Sequence, residues 1–158
     1  MHATVRSVIE MASEAAEDVC ILDTEASPEH LSRGTAAYAD LMLLVVEPYF
    51  KSLETGRRMS SLAKDLGIED VKLVANKVRD ERELDAVREF AETNDLEIGG
   101  VIPFDDRMPG SERASASPID FDADAEAVRA IGELAGRVAG DATLSELVSI
   151  NGRTNGRA

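Results

Sequence analysis

Apolar positions along this chain recur in two rhythms, as short unbroken runs and as longer stretches with helical spacing. Val5, Val8, Ile9, Ala12 and Ala16 recur at helical intervals over residues 3–16. Asp18–Leu22 follows as a short buried-strand candidate and ends on Asp23. Glu29–Ala39 reads as a helix begun after Pro28, a residue suited to helix starts. Leu41–Val46 is the strongest strand signal: its apolar residues do not alternate, which predicts a strand covered on both faces. The next helix is predicted over 52–66, with Leu53, Met59, Leu62, Ala63 and Leu66 inward and Gly67 as its stop.

Val71–Ala75 is a third strand and runs into Asn76 and Lys77. Asp80 and Glu83 have capping-box-like spacing at the start of a helix over 81–93, which turns Leu84, Val87, Phe90 and Ala91 inward. Ile98–Ile102 is a fourth strand, stopped by Pro103. Residues 105–121, rich in Asp, Ser and Pro, read as a loop with a short helical turn. A final helix over 123–139 presents Val128, Ile131, Leu134, Ala135 and Val138 on its apolar side. Strand and helix alternate throughout, so the expected class is α/β, a parallel sheet with right-handed crossovers and helices on both faces. The pattern places one domain over 1–140 and a polar, partly disordered tail over 141–158.

Composition fits a globular chain: 158 residues, 44% apolar and 30% charged. No apolar run approaches the roughly 20 residues that span a bilayer, and the N-terminus lacks a signal-peptide core, so the expected place is the cytoplasm, with no membrane partner. Charge changes the picture more. Thirty-one acids face seventeen bases, thirteen Arg and four Lys, for a net charge of −14. Such a chain has little with which to neutralise a run of phosphates, which argues against nucleic acid as a partner. The acids are scattered along the sequence, as on a halophilic surface kept soluble in concentrated salt, rather than gathered into a patch for a basic partner.

Cys20 is the single cysteine and sits inside the apolar run Val19–Leu22, as a small buried hydrophobe would. His2 and His30 are far apart, and no metal-ligand motif is present, so no metal site is expected from this chain alone.

In open parallel sheets ligands bind at the carboxyl ends of the strands. The polar residues there are Asp23–Ser27, Glu47, Asn76 with Lys77, and Pro103–Asp105. An apolar strand ending in Asp is the arrangement that holds Mg²⁺ beside phosphates in nucleotide-binding folds. An amide such as Asn76 offers both a donor and an acceptor to a purine edge. Each has a plainer reading: Asp23 as a turn residue, Asn76 as a strand-end cap, His30 as a hydrogen-bonded surface residue and Glu47 as structural.

The stretch Asp23-Thr24-Glu25-Ala26-Ser27-Pro28-Glu29-His30-Leu31-Ser32-Arg33-Gly34-Thr35 is similar to one of the form Asp-x-Glu-Ala-Gly-x-Glu-His-x-x-Arg-Gly-Thr in the CooC-type accessory ATPases. These are MinD/ParA relatives implicated in nickel insertion into carbon monoxide dehydrogenase. Val45-Val46-Glu47-Pro48 and Ala75-Asn76-Lys77-Val78 also match, and the resemblance covers roughly residues 2–140. It implies ATP or ADP with Mg²⁺ as cofactors. Asp23 would then stand near Mg²⁺, Glu25 and Ser27 would belong to the γ-phosphate switch, and Asn76 and Lys77 with Pro103, Phe104 and Asp105 would form the base side. Glu29, His30 and Arg33 match the subgroup motif without an assigned step.

The chain departs from the family in three ways. No Gly-x-x-x-x-Gly-Lys-Thr phosphate loop occurs in its sequence, so the fold is expected to be a partial P-loop one that misses the phosphate-loop strand. The preorganised donors that dominate phosphoryl-transfer catalysis are missing with it. Ser27 stands where the family has Gly, putting a Cβ beside the γ-phosphate position. The family's Cys-x-Cys pair lies upstream of the stretch matching His2–Arg6. The expected function is therefore the distal half of a truncated or split maturation ATPase, inactive alone. Its partners would be an N-terminal half-protein or a second copy, and a metalloenzyme client. The alternatives are a non-enzymatic interaction module derived from that fold, or an unrelated α/β nucleotide or regulatory domain. Strands 18–22 and 41–46 are expected to pair directly or loosely across the missing strand.

Overall fold

The computed structural model describes residues 21–24 and 39–139. They fall into two compact units divided between Gly99 and Gly100.

The first unit is built on a β-α-β crossover. Strand β1 (Leu41–Val46) leads through helix α1 (Phe50–Asp65) into β2 (Asp70–Val78). The two strands are parallel, in register from Leu41 opposite Asp70 to Val46 opposite Ala75. Helix α2 (Glu81–Thr93) follows, then β3 (Glu97–Pro103), which runs past the division into the second unit, and the sheet order is β1-β2-β3. The expected α/β class and parallel sheet are therefore present.

Packing explains which strand is covered. In β2, Leu73, Val74 and Ala75 are all fully buried, so both faces of the middle strand are shielded. In β1, Leu44 and Val46 are buried, whereas Val45 between them is 59% exposed. The unbroken apolar run thus overstated the covering of β1. Met59 and Ala63 of α1 and Val87 and Ala91 of α2 join Leu44, Val46, Leu73 and Ala75 in one core. Gly56 brings α1 close to the sheet: a Cβ there would stand 2.8 Å from Val46 Cγ1.

The helix ends follow local chemistry. Asp80 caps α2 by accepting from the Glu83 N–H at 2.9 Å, while Glu83 accepts from the Arg79 N–H at 2.7 Å. This is the reciprocal cap that the Asp80–Glu83 spacing predicts, except that Glu83 reaches one residue further back. At its far end α1 closes with Gly67 N–H donating to Lys64 O and Ile68 N–H to Ala63 O. These two bonds define a Schellman ending, which needs a left-handed residue, and Gly67 supplies φ +80.

Residues 21–24 carry no strand, and Ile21 and Leu22 are 86% and 42% exposed. Among the described residues, β1 therefore has β2 as its only ladder neighbour, and the expected pairing with 18–22 is not formed by Ile21 and Leu22. A groove of about 420 Å³ follows β1. Five consecutive strand residues, Met42–Val46, line it. Side chains alternate between faces, so consecutive lining means that the groove tracks the edge of the strand.

The second unit contains helices α3 (Met108–Arg113), α4 (Pro118–Phe121) and α5 (Glu126–Val138). The stretch expected as a loop thus holds two short helices. Ser117 caps α4 by accepting the Asp120 N–H at 3.2 Å, and Pro118 follows directly. Helix α5 is shorter than the apolar pattern suggests, and Ile131 and Val138 on its expected inner side are exposed. The early helix, residues 29–38 of the expected Glu29–Ala39 helix and the tail over 141–158 lie outside the described residues, and Ala39 itself is not helical.

Candidate functional site

The carboxyl end of the first unit's sheet places three polar residues. Glu47 follows β1, and Asn76 and Lys77 stand near the end of β2. Lys77 has φ +58, a left-handed conformation that costs a non-glycine residue on the order of 1–2 kcal/mol. Its Nζ lies 2.9 Å from Glu47 Oε1, so an ion pair ties the two strand ends together. Glu47 is itself held: its N–H donates to Ser52 Oγ at 2.9 Å, and its carbonyl accepts from the Tyr49 N–H at 2.7 Å.

The turn at Lys77 breaks the strand period. Ala75 and Val78 are both buried, three residues apart rather than two, and Asn76 between them is half-buried. Backbone strain at the carboxyl end of a buried parallel strand, next to an amide, is the arrangement associated with ligand sites.

Asp23 is exposed. Its neighbour Thr24 lines the groove along β1 together with Tyr49, Ser52 and Thr55. Among the described residues no group of three His, Cys, Asp or Glu could hold a metal ion by protein ligands alone. Mg²⁺ does not require such a group, because it is commonly bound through one or two carboxylates plus phosphate and water oxygens. Glu25, Ser27, Glu29, His30 and Arg33 lie outside the described residues.

Pro103, Phe104 and Asp105 belong to the second unit, at and just beyond the end of β3, and there the side chain of Asp105 is fully engaged. Arg107 Nε donates to Asp105 Oδ1 and Arg107 Nη2 to Oδ2, both at 2.9 Å, and the Arg107 N–H donates to Oδ1 at 3.0 Å. The Ala127 N–H reaches Oδ2 at 3.3 Å. The N-cap of α5 is Ala125, which has no side chain able to cap, so Asp105 supplies that carboxylate from a distance. The Arg107 guanidinium, then the backbone N–H groups of Arg107 and Ala127, hold the Asp105 carboxyl well below the usual carboxylate range, against the opposing effect of burial. Arg107 is raised in turn by Asp105 and is also bound by Asp122 at 3.0 Å. Asp105 therefore clamps its loop, and its carboxylate is committed to Arg107 and Ala127 rather than to a ligand.

The sequence did not reveal the Glu47–Lys77 pair or the roles of Arg107 and Asp122. Glu47 and Lys77 are thirty positions apart, and only the in-register pairing of β1 with β2 brings their ends together. The Asp105–Arg107 half of the clamp left a local signal, Asp-Asp-Arg directly after a strand.

A MinD cell division protein of Aquifex aeolicus, in its complex with MinC, superposes with a TM-score of 0.72 at 22% identity over 89% of this chain and 59% of that one. MinD alone from the same organism gives 0.57 at 24% identity over 69% and 48%. The fold is thus that of the MinD-like α/β nucleotide-binding proteins. In sequence, the chain is 44% identical over 112 residues to an uncharacterised ATP-binding protein of Methanocaldococcus jannaschii, across 69% of this chain and 42% of that protein. It is 34% identical over 120 residues to the carbon monoxide dehydrogenase accessory protein CooC of Rhodospirillum rubrum, across 76% of this chain and 45% of CooC. No family model matches the chain. The chain belongs to the CooC/MinD-type P-loop ATPase family. It spans less than half the length of these curated relatives.

Proposed function

We propose that this chain is the distal half of a CooC-type ATPase of metal-centre maturation, which contributes the adenine side of an ATP site and does not hydrolyse ATP alone. The observation that carries the reading is the strained Asn76–Lys77 turn at the carboxyl end of a fully buried parallel strand. A half-buried amide held there has both a donor and an acceptor for the purine edge. The family resemblance also assigns Pro103–Asp105 to base binding, and within its own unit that loop is held by the Asp105–Arg107 clamp.

Asp23 is the group that would hold Mg²⁺, with Glu25 and Ser27 as the γ-phosphate switch. Bound Mg²⁺ neutralises charge on the phosphate oxygens during transfer. The Gly-x-x-x-x-Gly-Lys-Thr motif whose main-chain donors and lysine cradle phosphates does not occur in the sequence, so in this reading another polypeptide segment supplies it. Nickel as the cargo and a metalloenzyme as the client follow from the family resemblance, and the matched CooC is a carbon monoxide dehydrogenase accessory protein.

Calorimetric titration with ADP and ATP tests the binding step, and phosphate release tests hydrolysis, each with the chain alone and with a phosphate-loop-bearing segment of a relative. Adenine-nucleotide binding that strengthens with the added segment, and hydrolysis only in its presence, is the expected result. Hydrolysis by the chain alone would overturn the reading. A well-folded sample that binds no nucleotide under either condition assigns the chain to interaction rather than catalysis.

A further inference from the structure

Lys77 is one of three described non-glycine residues with positive φ, and the other two end helices. Lys77 stands inside a strand, where no helix cap calls for that conformation. Three observations meet at this point. The residue after it, Val78, is buried, so the chain must return to the core immediately beyond the turn. The Lys77 ammonium is paired with Glu47, the first residue past the neighbouring strand. Glu47 has its own main chain fixed on both sides, through Ser52 and Tyr49, so it is a stationary anchor rather than a mobile surface acid.

We propose that Glu47 is a positioning residue: by pairing with Lys77 it holds the left-handed turn that sets where the Asn76 amide stands at the carboxyl end of the sheet. The inference rests on the reading of Asn76 as the adenine-binding group, and it assigns Glu47 no contact with nucleotide. The cause is geometric. A left-handed residue is disfavoured for any side chain with a Cβ, so its population depends on what ties it in place. Here the tie spans two strands whose register is fixed by the buried ladder between Leu44, Val46, Leu73 and Ala75. A merely solubilising Glu47 would leave residue 77 indifferent to its removal.

The test is nuclear magnetic resonance on the whole labelled chain, comparing wild type with Glu47→Ala, Glu47→Gln and the double variant Glu47→Ala/Lys77→Gly. The amide–α coupling of residue 77 reports φ directly, and the Asn76 side-chain amide resonances report its surroundings. Both single variants are expected to lose the left-handed signature at Lys77 in part and to shift the Asn76 amide, while resonances of Leu73–Ala75 stay in place. Glycine adopts left-handed φ without help, so the double variant should return the Asn76 amide toward its wild-type position. Glu47→Gln keeps the bulk of the side chain and answers the question should Glu47→Ala fail to fold. Unchanged residue 76 and 77 signals in the single variants, or no return in the double variant, would overturn the proposal. Titration of the wild type with ADP is a separate arm. An Asn76 amide that ignores ADP sinks the adenine reading, while the effect of Glu47 on residue 77 is still decided by the variants.

Discussion

Gly67 and Asp95 occupy the same place in two successive helix endings, one residue beyond the caps of α1 and α2, with φ of +80 and +54. The bonding is the same in both. Ile68 N–H donates to Ala63 O after α1, and Leu96 N–H to Ala91 O after α2. One ending uses the residue suited to it, and the other carries an aspartate Cβ through the left-handed region. Asp95→Gly should therefore stabilise the chain by about 0.5–1 kcal/mol, and Gly67→Ala should cost about 1 kcal/mol. No atom lies within 4 Å of a Cβ built on Gly67, so the cost there is one of backbone alone. Urea midpoints of the two variants check this. A neutral Gly67→Ala would mean that the α1 ending relaxes rather than holds.

Gly56 limits how closely α1 packs on β1. An alanine Cβ there would meet Val46 Cγ1 at 2.8 Å, inside contact distance, and Val46 is a buried, β-branched side chain that is stiff about χ1. Helix propensity favours alanine by about 1 kcal/mol, whereas overpacking costs about 1–3 kcal/mol. Gly56→Ala should thus be neutral to about 2 kcal/mol destabilising. The discriminating measurement is a double-mutant cycle with Val46→Ala, in which the smaller partner should make the Gly56 substitution favourable. Additive effects would show that the helix shifts as a body instead.

The helix endings also show what the sequence could and could not tell. Gly67 was legible as a helix stop because glycine is the usual left-handed residue. Asp95 and Ser115, which end α2 and α3 with the same bonds, gave no comparable signal. The strands of the first unit were legible from their apolar runs, since burial of β2 on both faces demands such residues. Val45 misled, because an apolar side chain on an open part of β1 looks in sequence like one in the core. At the site, the strand-end positions of Asn76, Lys77 and Pro103 could be read in advance. The Glu47–Lys77 pair could not, because it exists only through register between strands, and register leaves no local mark.

Asp105 gives the second unit a defined acid response. Its folded carboxyl is held below its unfolded value of about 3.9, chiefly by Arg107. A depressed acid contributes stability that is fully present above the unfolded value and is lost as pH falls toward the folded one. The melting temperature should thus be insensitive to this group from neutral pH to about pH 4 and fall below that. Asp105→Asn should melt lower than wild type at neutral pH, with the gap narrowing below about pH 4 as the wild-type carboxylate is titrated. Glu54, lowered to about 2 by Arg57 and Arg58, titrates in an overlapping range. Its ion pairs lie with exposed arginines and are readily screened, so added salt separates the two contributions. A gap between wild type and Asp105→Asn that stays constant with pH would show that the clamp holds equally well with a neutral partner.

Asn76 carries the sharpest prediction for binding. If its amide reads the adenine edge, Asn76→Ala removes one or two hydrogen bonds, worth about 0.5–1.5 kcal/mol each, and should weaken ADP binding by roughly three- to tenfold or more. Asn76→Asp keeps an acceptor but loses the amide donors and adds a negative charge beside the ligand. It should weaken adenine nucleotides at least as much as alanine does and change the ratio of adenine to guanine nucleotide affinities. The melting temperature without ligand should move little in either variant, because Asn76 is only half-buried and the core on both sides of it, Ala75 and Val78, is untouched. Calorimetry with ADP and with GDP on the folded chain, alongside a melt of each variant, separates the outcomes. Equal losses for both nucleotides would place the side chain near the ligand but not on its base. Unchanged affinity in both variants would remove Asn76 from the site, leaving the Lys77 turn as a structural feature of the strand end.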